Sequence, residues 1–391
     1  MKVAVIGGAG KVVWGAIRDF VEHPSVDELL LADLNLEAIE QRRQHLGSDK
    51  VKVERIDLND HQALVRLLDA YDVCLNATSH HFNLKVMEAC IESRTHYTDF
   101  GGLFHWALKQ LEFHDRFKEA GITGIVGSGS APGIVNVMAR YGYDHLDQVH
   151  SIKILDGIVN FNAPEDSFIP PYAIETLIEE FVMNPYEFRD GKYVEMTPFS
   201  GQEEIDFPDP VGKQTVFNTI HSEVATMPLT FQDKGIQNVA FKLSLPKRFE
   251  ERLRFLVNLG MGSKEPIQVR DQQVIPLQVL SQLVQKQSFT VPDGEHDDHK
   301  ALRVEITGVK DGIESKYVLH SVLHPYKPWS DMSQGVFSVG FPAAVTTRLI
   351  GSEQIKEPGF FPTEAAIPPK IYFRELAQRG IVVQSQFTQT L

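Results

Sequence analysis

Cysteine is nearly absent. Cys74 and Cys90 are the only two in 391 residues, and they fall in an expected strand and an expected helix, which excludes a disulfide framework and argues for buried free thiols. No apolar stretch reaches the ~18 residues that a membrane span needs. The run Val3 to Ile6 is too short for a signal peptide, so a soluble, cytoplasmic chain with no membrane partner is expected. Clusters of Lys and Arg are missing as well. With a net charge of -14 and a pI near 5.5, the surface lacks the basic footprint of a nucleic-acid binder, and a small-molecule partner is favoured. No period of 20 to 50 residues recurs, which excludes a repeat architecture.

What is present is ordinary globular material, 42% hydrophobic and 23% charged, enough for two cores. Short apolar or β-branched runs at Val3–Ile6, Glu28–Ala32, Val51–Ile56, Val73–Asn76 and Ile122–Val126 alternate with helical patterns at Lys11–Glu22, Leu36–Leu46, Gln62–Leu68, Asn83–Ser93 and Phe104–Ala120. HYTDFGG, 96 to 102, adds a further strand pattern. Such alternation predicts an α/β fold with a Rossmann-type doubly wound parallel sheet over residues 1–130. From 131 to 340 the pattern turns to longer strands and hairpins, with Asp311-Gly312 as a hairpin signal. A substrate-binding α+β domain with a mostly antiparallel sheet is expected there, its first helix opening at Ala131-Pro132-Gly133. Residues 341–391 return to helices punctuated by prolines.

VAVIGGAGKVVWG, 3 to 15, resembles a dinucleotide loop but lacks its last glycine, the position held by Val13. Gly8 would make the tight turn and Gly10 would admit a pyrophosphate to the amides of Lys11 and Val12 at the helix start. Val13 affects helix packing and removes no phosphate donor. Gly15 cannot take its role, since two residues along a helix is about 200° of rotation. Asp33 ends the second strand 23 positions after Gly10, near the offset at which a carboxylate accepts the ribose hydroxyls. NAD is therefore the expected cofactor, with NADP possible because Arg42 and Arg43 lie one helix later. Asp57, closing the third strand, is placed at the adenine edge or in a turn.

The loop DVCLNATSHHFN, 72 to 83, leaves the fourth strand at the ligand edge of the sheet, so Asn76 and Ala77 are expected beside the nicotinamide. His80 or His81 could act there as an acid or base. Asp99 is a candidate base or ammonium partner, and Asp156, an acid in an apolar strand, a candidate ammonium partner. The loop DGEHDDHK, 293 to 300, lacks a metal-ligand spacing and reads as a solvated connection, so no metal is expected.

VAVIGGAGK, LLLADLN, VCLNATSHHFN, HYTDFGG and GSGSAPGIVN, in this order, resemble the saccharopine dehydrogenase-like family. Within it the likeness is to members that deaminate lysine, and it continues through LDGIVNF, FNTIHSEVATMP and RLIGSEQIKEPGFFPTE. Two departures are Val13 and Gly127, the latter standing where lysine-deaminating members carry an acid. The resemblance implies that the C-terminal helices pack against the nucleotide domain, that the chain forms a dimer or larger homo-oligomer, and that His221 projects toward the substrate.

The reaction expected is NAD(P)-dependent oxidation at a C–N bond of an amino acid or amine, namely deamination of L-lysine at its 6-amino group to a semialdehyde. Reductive coupling of an amine to a carbonyl, of the saccharopine or carboxynorspermidine type, is the alternative within enzymes, and a non-catalytic dinucleotide sensor the alternative outside them. His221 or His80 is the expected base, and Asp99 and Asp156 the amine partners. A substrate carboxylate calls for a bidentate arginine, which the sequence does not single out.

Overall fold

The computed structural model describes residues 1–101, 103–165, 167–287 and 291–390. Gly102, second glycine of the DFGG motif, lies outside them. The first part of the chain supplies β1 (Lys2–Ile6), α1 (Trp14–Glu22), β2 (Glu28–Asp33), α2 (Leu36–Leu46), β3 (Val51–Arg55), α3 (His61–Leu68), β4 (Val73–Asn76), α4 (Asn83–Ser93), β5 (His96–Asp99), α5 (Phe104–Leu111), α6 (His114–Ala120) and β6 (Thr123–Val126). Val3, Val5, Leu29 and Leu31 enter one core, whereas Ala4, Ile6, Leu30 and Ala32 enter another. Both faces of the sheet are thus covered, which is why its strands read as unbroken apolar runs. Cys74 and Cys90 are free thiols within the second core.

Two local expectations change. Helix α1 begins at Trp14 rather than Lys11. The single helix expected over Phe104–Ala120 is two, because Phe104 and Ala107 join the first core while Phe117 joins the second; one straight helix cannot serve both.

The second part supplies α7 (Ile134–His145), β7 (Gln148–Asn160), α8 (Ile174–Val182), β8 (Tyr186–Arg189), β9 (Lys192–Glu195), β10 (Glu203–Asp206), β11 (Lys213–Asn218), α9 (Glu223–Thr230), β12 (Asn238–Leu243), α10 (Lys247–Asn258), the small hairpin β13 (Ile267–Val269) and β14 (Gln272–Val274), α11 (Pro276–Gln285), β15 (Asp298–Lys310) and β16 (Ile313–Leu323). Pro132 lies ahead of α7 in a cis peptide rather than in its first turn. Asp311 and Gly312 join β15 to β16 with φ of 52° and 76°, as a tight primed turn requires.

The chain ends with α12 (Gln334–Gly351), β17 (Gly359–Pro362) and β18 (Gln384–Gln389). The first sheet runs β17-β6-β5-β4-β1-β2-β3, all parallel. The second runs β10-β11-β12-β7-β15-β16-β18, antiparallel except for β12 against β7, with β8 paired to β12 and β9 to β8. The C-terminal stretch, expected to be helical, therefore also gives each sheet an edge strand.

Helix α12 lies against α1 at a glycine contact. A Cβ on Gly340 would stand 2.7 Å from the Ala16 nitrogen, and one on Gly15 would stand 2.9 Å from the Val336 oxygen. A buried ion network pins the same pair: Arg348 Nε meets Asp19 Oδ2 at 2.9 Å, Arg348 Nη1 meets Glu375 at 3.1 Å, and Arg379 Nη2 meets Asp19 Oδ1 at 2.9 Å. Among the described residues no helix is long and apolar enough to cross a membrane.

Candidate functional site

The glycine loop closes on itself between β1 and α1. Gly7 and Gly8 amides donate to the Ala32 carbonyl at 2.8 and 3.1 Å, and the Gly10 amide donates to Gly7 at 3.0 Å. Gly7 has φ +85°, and a Cβ there would stand 2.9 Å from the Ala77 carbonyl, so the loop after β4 presses directly on the glycine turn. Ala77 takes part through its backbone. The amides of Lys11, Val12 and Val13 have no protein acceptor among the described residues, and they form the first turn leading into α1. This donor set fits a pyrophosphate.

Asp33 stands beside the turn, its Oδ2 accepting the Ala9 amide at 3.0 Å and its Oδ1 the Asn35 amide at 3.0 Å. Each oxygen keeps a lone pair for a ribose hydroxyl. Arg43 is engaged with Glu40, and Arg42 donates to the carbonyls of Gly8 and Gly10 at 2.5 and 2.9 Å. Neither is an unengaged clamp for a 2'-phosphate. Asp33→Asn, which keeps an acceptor for Ala9 and removes the charge, is expected to shift the NADH-over-NADPH affinity ratio toward NADPH by ~10-fold or more, read by fluorescence titration of each dinucleotide.

The structure places three further sequence candidates. Asp57 Oδ1 accepts the Asn59 amide and side chain at 2.9 and 3.0 Å, so it shapes a turn. Asn76 is buried with its side chain turned inward, donating to Asn83 at 2.9 Å and Tyr97 at 3.2 Å and accepting from Thr78 at 2.7 Å. Asp99 is 1% exposed and accepts from four donors: Gln110 at 2.6 Å, Tyr97 at 2.7 Å, Gly101 at 2.8 Å and Gly127 at 3.0 Å. Burial raises its pKa against those hydrogen bonds. Its Oδ1 ties the ends of β5 and β6 together through Gly101 and Gly127, and its Oδ2 is taken by Tyr97 and Gln110, so both oxygens are engaged within the protein.

The other two expected residues come together. Asp156 on β7 and Lys300 on β15 are diagonal neighbours, since Asp156 pairs with Leu302 and Lys300 with Ile158. Lys300 Nζ meets Asp156 Oδ2 at 3.0 Å and reaches Ser130 Oγ, in the loop after β6, at 3.4 Å. His221 follows β11, stacked on Phe241 with centroids 3.8 Å apart at 10°, its Nδ1 2.6 Å from Glu223 Oε2 in the first turn of α9. Glu180, on α8, accepts from the Tyr172 hydroxyl. Asp156, Glu180 and Glu223 are 2%, 5% and 0% exposed, so three buried carboxyl groups surround one lysine and one imidazole. Asp156 Oδ1 and Glu223 Oε1 have no donor among the described residues. These two oxygens are free to accept from a cationic or hydrogen-bond-donating ligand.

The ionisation of the cluster follows from its crowding. Burial raises Asp156, with Lys300 and His221 opposing. For His221 burial, the largest influence, pushes downward, but Glu223, Glu180 and Asp156 together outweigh it and the net shift is upward. Burial pushes Glu180 up to about 7 against the pull of His221, Tyr172 and Lys300. A folded value above the unfolded one near 4.5 means that the protonated carboxyl contributes stability at low pH that is lost as pH rises to about 7. Glu180→Gln carries no such proton. Its urea midpoint relative to wild type is therefore expected to climb between pH about 4.5 and about 7, and a flat difference would refute the shift.

His80 belongs to a separate cluster. It is 7% exposed, with Nε2 3.3 Å from Glu179 Oε2, and His81 Nε2 lies 3.6 Å from Glu179 Oε1. Burial lowers His80 to about 4, Glu179 pulling it up and His81 and Lys264 down. Successive glutamates of α8 thus serve different histidines: Glu179 faces His80, and Glu180 acts on His221.

Sequence reasoning missed Lys300, Glu180, Glu223 and Tyr172. Lys300 closes the DGEHDDHK stretch read as solvated, yet it sits in β15 and is 8% exposed. The usable signal was its register: Lys300, Leu302, Val304 and Ile306 alternate on one strand face.

Residues 3–125 match the family profile described as saccharopine dehydrogenase NADP binding domain, and residues 129–381 the one described as saccharopine dehydrogenase C-terminal domain. The chain is 24% identical over 399 residues to the carboxyaminopropylagmatine dehydrogenase of a Synechocystis species, covering 97% of this chain and 96% of the relative. It is 24% identical over 389 residues to the carboxynorspermidine synthase of Vibrio alginolyticus, covering 92% and 91%. Its fold is shared with apo saccharopine dehydrogenase (L-Glu forming) of Saccharomyces cerevisiae, at a TM-score of 0.74, 17% identity and 99% of each chain. The homospermidine synthase of Legionella pneumophila, solved in complex with NAD, shares it at a TM-score of 0.71 and 11% identity over 99% of this chain and 91% of that one.

Proposed function

The chain belongs to the saccharopine dehydrogenase family and is an NAD(P)-dependent oxidoreductase acting on an amino acid or amine, and from that premise we propose that it couples a primary amine reductively to an amino-acid semialdehyde, forming a secondary amine. The buried carboxylate cluster of Asp156, Glu180 and Glu223 suits a substrate with an ammonium at some distance from the reacting nitrogen, and the observation that carries the reading to coupling is the likeness of nearly the whole chain to two relatives of that kind. The full-length relatives, named for a carboxyaminopropyl derivative of agmatine and for carboxynorspermidine, support the same substrate class. Deamination of lysine would draw on the same base and the same carboxylates; the relatives are what favours coupling.

The nicotinamide, when bound, supplies hydride to the carbon of the C–N bond. His221, with Nδ1 held by Glu223, offers Nε2 to take the proton that keeps the incoming amine an ammonium. The freed amine adds to the carbonyl carbon, and one of its two remaining protons passes to the carbonyl oxygen, leaving a hydroxyl on that carbon. His221 then returns that proton to the departing oxygen, so water leaves and a protonated imine remains. Asp156 and Glu180 hold the distal ammonium, and Lys300 opposes the protonation that burial favours at Asp156 while linking it to the Ser130 loop.

The test follows reduced-nicotinamide absorbance with purified chain. NADH or NADPH is expected to be consumed only when agmatine or a short diamine is supplied together with a short amino-acid semialdehyde. Reduction of NAD by lysine alone would establish deamination instead, turnover of saccharopine would move the substrate class, and dinucleotide binding without any turnover would make the chain a sensor.

A further inference from the structure

Away from the cluster of Asp156 and His221, three ligand-type side chains converge between the loop after β4 and α8. His80 Nε2, His81 Nε2 and a Glu179 carboxylate oxygen all lie within 4.8 Å of one another. We propose that His80, His81 and Glu179 form a binding site for a divalent cation of the zinc class, which fastens the loop after β4 to α8.

Two independent observations lead there. The first is spacing: with metal–nitrogen and metal–oxygen bonds of ~2.0–2.2 Å, neighbouring ligands of a tetrahedral ion stand about 3.4 Å apart. The 3.3 Å from His80 Nε2 to Glu179 Oε2 already matches that edge, and His81 Nε2 lies within 4.8 Å of the other two ligand atoms. The second is unmet bonding. His80 and Glu179 are 7% and 6% exposed, yet His80 Nε2 and Glu179 Oε2 face one another with no hydrogen-bond partner among the described residues. Unprotonated, the imidazole turns a lone pair toward a carboxylate, and protonated, it makes no aligned hydrogen bond; a cation between them satisfies both.

The surroundings suit such an ion. Trp106 packs against both imidazoles, with centroids 5.5 and 5.4 Å away, which limits their rotation. Two imidazoles and one carboxylate are a borderline donor set that favours zinc over magnesium or calcium. Glu179 also borders a cleft of about 760 Å³ that Met183, Phe199, Arg254 and Lys264 line, and His81 is half-exposed, so the site meets solvent. Lys264 is the competitor, since its ammonium is paired with Glu179 Oε1. A metal must bind through Oε2 or displace it.

Calorimetry with zinc chloride on the untagged full chain, and visible absorption on cobalt substitution, test the site. One zinc per chain and a low-symmetry cobalt band are expected. His81→Ala, at a half-exposed position where folding is secure, and Glu179→Gln are each expected to weaken zinc by ~100-fold, as loss of one of three ligands implies, while Lys264→Met tightens it. His299→Ala, which breaks the other imidazole pair, His299 with His324 at 3.0 Å, is expected to leave binding unchanged. Absence of saturable zinc binding, or affinity retained in both His81→Ala and Glu179→Gln, overturns the proposal.

Discussion

His221→Ala is expected to lower kcat by ~10²–10⁴-fold, the usual weight of a general acid–base group, with the Kd for NADH unchanged. The residue is positioned as such groups are. Glu223 fixes one ring nitrogen at 2.6 Å and Phe241 supports the ring face, so the other nitrogen keeps one direction without help from substrate. Steady-state kinetics beside a dinucleotide titration separate loss of chemistry from loss of binding. The pH profile adds a readout that a structural role would not move. Net upward displacement of His221 by its carboxylate neighbours places the rising limb of kcat/KM above an ordinary histidine's, and Glu223→Gln, by removing one of them, is expected to move that limb to lower pH. A profile that stays put would remove His221 from the chemistry.

Asp19→Ala is expected to cost ~3–5 kcal/mol of folding stability, the range for breaking a buried ion pair on one side. Asp19 is 1% exposed on its side chain and receives both Arg348 and Arg379. Its removal strands the guanidinium of Arg348, itself 7% exposed, with Glu375 and His23 as remaining neighbours. Urea denaturation would show a lower midpoint with an unchanged slope. Changing Asp19→Leu together with Arg348→Met is expected to recover part of the loss, because it removes the buried guanidinium left unpaired while Arg379 keeps Glu22. If the double variant is as unstable as the single, packing rather than charge holds α1 to α12.

The nucleotide-binding half was legible because its signals are local. Glycines, an apolar strand and an acid at a fixed offset occupy one stretch, and Asp33 lands against Ala9 as that spacing requires. The acidic cluster was only half legible. Asp156 stands out as an acid in an apolar strand and His221 through the family resemblance, but Lys300 is 144 residues from Asp156 along the chain and joins it only through the pairing of β7 with β15. Its neighbours DGEHDDH hid it, since composition there speaks for solvent while strand register speaks for burial. Asp99 failed in the opposite sense: an acid before glycines invites a catalytic reading, and only Gln110, 11 residues on, shows the carboxylate to be fully engaged. Glu179 lies 98 residues beyond His81, so no local ligand spacing could announce it.

The parallel sheet is completed by a strand that comes late. β6 ends at Val126 and its neighbour β17 begins at Gly359, about 230 residues later, a delay of roughly 10–50 s at ~5–20 residues per second of synthesis. During that interval the nascent chain carries an unpaired parallel edge, and α1 awaits the helix whose Gly340 fits against Gly15. The cofactor-binding sheet, although begun first, is completed only after most of the second sheet has been made, and a translation pause or a truncation ahead of α12 would leave an aggregation-prone edge on an otherwise finished sheet.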